Sequence, residues 1–442
     1  MHPDWVTKQT AQCTFEKYLR PKSSNIYGWM KKVVLNCQPL SIVENQIELE
    51  FTTLKPVCRR TLKSAISKVY RLAFEQVMEL LPQSFCLCFD AWTENSFHFV
   101  AIYAIFNDLE FKKRTILLSF GTLLDESNWT SANYADTVIA LLESMNKSIE
   151  NVICLVGDNC ATNRSLSNLL GLPLIGCASH KLNLAVEKYI QGFPEIQIIN
   201  QLMIKLSTPL KMAKLRLRTP LRPISKNLTR WSSCFNMLER FFEIQEYLDI
   251  TDPDLALLMQ NCVQILQIKT VMNELNLLNQ LTVYLQNPSL TLLDARNCFD
   301  RVITTHPAMK QYLGSDAKIV HSPVFENSVV KVLNDKENDL TVEERLSLKK
   351  LEKNESTIPA ILSFDRNPYI CGASTTINNP SKYIDLTFIP PTSNIVERLF
   401  SLAGRIYCDN RKSLDNSTLE EIIFLNQNKD LWKEIVVDKA MK

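Results

Sequence analysis

Three runs of aromatic and β-branched residues, at 85–92, 97–106 and 114–122, are separated by the polar breaks TENS and NDLEFKK. Runs of this length between short polar breaks predict three strands in an antiparallel meander. The period then changes to that of a helix over 132–145. Residues 151–157 are apolar nearly throughout, which predicts a fourth strand with both faces covered. A short helix is expected at 161–170, a brief fifth strand at 173–176 and a further helix at 180–190. The order β-β-β-α-β-α-β-α predicts an α/β fold, a mixed sheet with helices packed on it.

The flanking segments read differently. Residues 40–80 read as helical. No convincing strand appears from 235 to 353, and 254–285 is dense in Leu, Ile, Val and Met at helical spacing. Residues 335–356 are charged and read as solvated, and 357–385 read as irregular. Pro390 and Pro391 are expected to stop that segment, and Ser393 to cap a helix running through NIVERLFSLAGRI. A last helix is expected at 417–432. The 442 residues suggest about three domains by length. The pattern divides the chain into a helical, basic 1–80, a mixed α/β 81–234, an all-helical stretch with irregular linker at 235–385, and a C-terminal helical 386–442.

Composition narrows the function classes. Forty-nine Lys and Arg against 47 Asp and Glu give a net charge of +2, so attraction to nucleic acid must come from local patches. Nine Gly are few for this length, and neither GxGxxG nor GxxxxGK[ST] occurs, which excludes those phosphate-cradling loops. The 13 Cys are odd in number, irregularly spaced and without a CxxC pair, as expected of reduced thiols in a cytosolic or nuclear protein. The opening MHPDWVTKQT has no apolar core of a secretory signal. The longest apolar run, 99–106, is far short of the ~18 residues of a membrane span. Neither secretion nor a membrane partner is expected.

The chemistry gathers on acids. Asp90 ends the apolar run FCLCFD, where a charge is costly unless paired or bound to a cation. Asp158 follows the fourth strand. The element order is that of an RNase H-like fold, in whose sheet the first and fourth strands are neighbours, so both carboxylates would reach one edge. Paired carboxylates suit Mg²⁺ or Mn²⁺ in phosphodiester chemistry. A third acid must come from a helix beside them, and Glu397 is the candidate.

Two basic stretches stand out. Residues 52–74 hold Lys55, Arg59, Arg60, Lys63, Lys68 and Arg71 without an acid, which fits either a phosphate backbone or a solvated helix face. Residues 201–230 hold Lys205, Lys211, Lys214, Arg216, Arg218, Arg222, Lys226 and Arg230, again without an acid, the strongest DNA-binding signal in the chain. Pro220 and Pro223 imply an irregular loop there. Trp231 reads as a core anchor or as a surface for stacking an unpaired base. Cys177 and His180 form a CxxH pair, too few ligands for a structural zinc. They read as a buried thiol and a hydrogen-bonded imidazole, or as a pair beside the site.

Five motifs occur in order: Asp90-Ala91-Trp92; Gly157-Asp158-Asn159 through Asn163; Cys177-Ala178-Ser179-His180-Lys181-Leu182-Asn183-Leu184; Arg230-Trp231-Ser232-Ser233; and Pro391-x-Ser393-x-x-x-Glu397-Arg398-x-Phe400-Ser401. Together they resemble the hAT superfamily of DNA transposases and their domesticated relatives, over roughly residues 35–435. The resemblance implies an RNase H-like catalytic core interrupted by a helical insertion, with 386–442 as the second part of the core with a dimerisation region. It implies a DDE-type metal site at Asp90, Asp158 and Glu397, with Trp92, Asn159, Cys177 and His180 nearby and Arg398 toward DNA. The implied reaction is Mg²⁺-dependent hydrolysis and transesterification of DNA, with hairpins on the flanking DNA and joining of free 3′-hydroxyls to a target. It also implies a homodimer or higher homo-oligomer through the C-terminal helices, and a nuclear location. The family's frequent N-terminal zinc finger has no counterpart, since only His2 and His98 precede His180, and the insertion is short. These departures imply a truncated, decayed or domesticated element or a missing first exon, hence the alternative of an inactive DNA-binding or scaffold protein.

Overall fold

A computed structural model of the chain describes residues 20–94, 96–108, 110, 112–227, 231–353, 381–407 and 414–442. The strands are β1 (Phe85–Glu94), β2 (Phe97–Asn107), β3 (Lys113–Thr122), β4 (Val152–Gly157) and β5 (Leu174–Gly176). The helices of seven residues or more are α1 (Pro21–Met30), α2 (Arg59–Leu80), α3 (Ser131–Ser144), α4 (Ala161–Leu170), α5 (Ala178–Ile190), α6 (Pro194–Leu206), α7 (Pro209–Arg216), α8 (Ser232–Ile244), α9 (Cys262–Tyr284), α10 (Leu292–Thr305), α11 (Pro323–Leu333), α12 (Asn394–Ile406), α13 (Asn416–Gln427) and α14 (Glu434–Ala440). The chain forms two compact units. One contains Met1–Leu174, Lys350–Ile389 and Ser393–Lys442; the other contains Ile175–Lys349 and Pro390–Thr392.

The first unit is built on a mixed sheet of order β3-β2-β1-β4-β5. β1, β2 and β3 form the expected meander, and β4 runs parallel to β1. β4 is buried at every position, as its unbroken apolar run predicts. Between β2 and β3 the register slips at Ile102/Tyr103. Asn428 holds the backbone of Leu117 both ways there, donating to its carbonyl at 2.9 Å and accepting from its N–H at 3.2 Å. α12 packs on β1 and β2, and α13 packs on β3 and against α2.

α2 is a helix because Leu62, Ala65, Ile66, Val69, Ala73 and Val77 recur every three or four residues and form one buried stripe. The expected helix over 40–80 is interrupted, however. Short turns at Leu40–Glu44 and Gln46–Phe51 precede it, the latter capped by the Asn45 side chain. Residues 52–58 leave the helix, and Pro56 within them has no N–H to continue it. Ser393 does occupy the N-cap of α12, but its hydroxyl makes no cap hydrogen bond.

Among its described residues the second unit is helical beyond the end of β5. Its core joins α5, α6, α8 and α9 through residues such as Leu182, Met203, Leu238 and Leu275. Lys181 and Glu326 form a buried ion pair at 2.9 Å, and the Gly176 N–H also donates to Glu326. No disulfide links the described cysteines. No helix among the described residues is long and apolar enough to cross a membrane.

Candidate active site

The site begins with strand register. β1 and β4 align Leu87 with Leu155 and Cys88 with Val156. The pairing ends there; Asp90 lies two residues beyond Cys88 in β1, and Asp158 two residues beyond Val156, just past the end of β4. The close approach requires Gly157: a Cβ there would lie 3.1 Å from the Phe89 carbonyl and 3.4 Å from Asn163 Nδ2. Asn163 Nδ2 in turn donates to the Asp158 carbonyl at 2.9 Å. Asp90 Oδ1 accepts the Ala91 N–H at 2.8 Å.

Glu397 comes from the first turn of α12, where the helix dipole favours a carboxylate. Trp92 fixes that helix to the sheet. Its ring stacks on Phe99 at 5.7 Å and on Phe400, one turn beyond Glu397, at 6.0 Å. The tryptophan of the Asp-Ala-Trp motif is therefore packed between the sheet and α12.

The carboxylates share one electrostatic neighbourhood. Burial, then the charge of Asp158 and the weaker one of Glu397, push Asp90 up to about 7 against the Ala91 hydrogen bond. Tyr134 of α3, which motif reading missed, belongs to the same neighbourhood. Burial, then Cys160 and Asp90, push its hydroxyl up to about 12. His98 connects Tyr134 to Thr93 and stacks on Trp129. No spacing signal connects α3 to β1 in sequence, and only the folded sheet brings Tyr134 within reach.

Asn159, beside Asp158, is 4% exposed, and neither its amide oxygen nor its nitrogen has a hydrogen-bond partner. Such a group costs about 1–3 kcal/mol when left unsatisfied, so the amide points to a polar occupant, either water or a ligand. The oxygen-only carboxylate set fits a hard divalent cation in kind. In spacing it is looser, because among the described residues no three His, Cys, Asp or Glu side chains gather as a set that could hold a metal ion.

The other expected site residues divide. Cys177 and His180 belong to the second unit, with Cys177 buried at the N-cap of α5 and His180 half-buried. Trp231 is 2% exposed in the second unit's core, and its backbone N–H donates to Asn183 Oδ1 at 3.3 Å. It offers no ring face to a base, which corrects the stacking alternative. Lys211 is largely buried and bonded to Asp252 at 2.7 Å and Asp254 at 3.1 Å, so it is spent within the fold and is corrected as a DNA contact. Lys205 pairs with Asp254, and Arg218 donates to the Tyr247 carbonyl. Lys214, Arg216 and Arg222 remain exposed on α7 and the loop after it. Arg230 lies outside the described residues. In the other basic stretch Arg59 pairs with Glu44 and Lys63 with Asp415, while Arg60, Lys68 and Arg71 are exposed. Arg398, next to Glu397, is exposed. No protein-family model matches this chain, and no curated protein matches it.

Proposed function

We propose that the chain is a hAT transposase-like protein with an RNase H-like core, which cleaves and joins DNA phosphodiesters at Asp90, Asp158 and Glu397. One observation supports the reading: Asp90 and Asp158 each follow by two residues the last paired positions of the neighbouring parallel strands β1 and β4, while Trp92 stacks on the helix that bears Glu397. Asp90 and Asp158 would hold Mg²⁺ or Mn²⁺, with Glu397 completing the set. A bound divalent ion supplies Lewis-acid activation and charge neutralisation at the phosphate. Asn159 offers an amide to the water or the phosphate oxygen entering beside Asp158. Lys214, Arg216 and Arg222 are exposed cations that would meet the DNA backbone, with Arg60 exposed in the other basic stretch and Arg398 exposed beside Glu397. Homodimerisation and a nuclear location accompany this reading.

A second reading, an inactive derivative that binds DNA or scaffolds other proteins, is favoured by the loose spacing of the acids. Nicking of supercoiled plasmid in Mn²⁺ separates the two. The transposase-like reading predicts nicking by the wild type and none by Asp158→Ala. No nicking by either protein, with both folded, would favour the inactive derivative.

A further inference from the structure

α9 is unusual for a surface helix. Its 23 residues carry two charges, Lys269 and Glu274. Ile268, Val271, Leu275 and Leu278 are buried against the second unit. The opposite face carries four exposed apolar side chains: Val263 is 66% exposed, Leu266 67%, Leu277 66% and Tyr284 45%. Thr270, Asn273 and Gln280 fill the gaps between them and are exposed too. An ordinary surface helix carries charge on its outer face. Here the outer positions recur at alternating spacings of three and four and include no charge, which is the a/d pattern of a coiled-coil seam.

We propose that this face pairs with the same face of a second copy of the chain, as a parallel two-stranded coiled coil. The two charges select the occupant and its direction. With Val263 at an a position, Lys269 falls at g and Glu274 at the e position of the following heptad. Those two positions face each other across a parallel, in-register pair. Each Lys269 then meets the partner's Glu274, twice by symmetry. An antiparallel pairing sets g against g and e against e, and the opposite charges lose each other. Glu274 already binds the Tyr189 hydroxyl and lies 3.5 Å from His306, yet its side chain is 36% exposed. This surface lies outside the C-terminal helices and does not depend on whether the carboxylates are catalytic.

Sedimentation equilibrium of the full chain over a micromolar concentration series tests the proposal, with circular dichroism as the folding control. The wild type is expected to reach a larger oligomer than Leu266→Glu/Leu277→Glu under the same conditions, whatever association the C-terminal helices supply to both. Both leucines are largely exposed, so the double variant should keep its fold. The milder Lys269→Glu, which turns two attractive pairs into two repulsive ones, is expected to weaken the dimer severalfold. A monomeric wild type, or an oligomer of unchanged size in the double leucine variant, overturns the proposal. An unchanged dimer in Lys269→Glu overturns the parallel register.

Discussion

Asn159 joins residue-level cost to function. Its buried amide lacks a partner while it stands next to a carboxylate that belongs to the candidate site. Replacing it with Ala removes an unsatisfied group, so the fold should change by no more than about 1 kcal/mol. Plasmid nicking should nevertheless fall at least several-fold. A large drop in melting temperature would make the amide structural instead. A second residue-scale device sits on α13, where burial and the neighbouring Glu421 push Glu420 up to about 7. A carboxyl raised in the folded state favours folding when protonated. Its penalty is absent below the unfolded value near 4.5 and grows as pH rises through about 7. Glu420→Gln is therefore expected to stabilise the protein by about 1–3 kcal/mol at pH 8 and by almost nothing at pH 4.5. Paired thermal melts at the two pH values check this, and equal shifts would contradict it.

At the scale of elements, much was legible in sequence. The aromatic and β-branched runs gave three strands, and the unbroken run at 151–157 gave a strand buried at every position. The expected adjacency of the first and fourth strands, which carry or precede Asp90 and Asp158, is present in the sheet. The helical reading of 40–80 did not mark the break at 52–58, which contains Pro56. Ser393 was placed correctly at a helix start, but residue type alone does not show whether the hydroxyl makes its hydrogen bond. Gly157 is an element-scale hinge of the site. Gly157→Ala should push β4 from the Phe89 carbonyl at a cost of about 1–3 kcal/mol, and should reduce nicking more than a surface change of equal cost. Chemical denaturation alongside the nicking assay separates the two effects.

Charge at the scale of the molecule was the least legible feature. The stretch 201–230 has no acid of its own, yet Asp252 and Asp254, distant in sequence, hold Lys205 and Lys211. A one-dimensional scan counts cations and does not show which are already paired. Lys211→Ala is accordingly expected to destabilise the fold and leave the salt dependence of DNA binding unchanged. Arg216→Ala/Arg222→Ala should lower that slope by roughly one for each lost phosphate contact. Fluorescence anisotropy over a salt series reads both. A slope untouched by the double arginine variant would remove this loop from the DNA interface. The central claim, a divalent-cation site at Asp90 and Asp158, is tested most directly by titrating the protein with Mn²⁺ and reading free Mn²⁺ by electron paramagnetic resonance. The account predicts binding by the wild type that is lost in Asp90→Asn/Asp158→Asn with the fold intact. Equal binding by the two proteins, or no binding by the wild type, would contradict it.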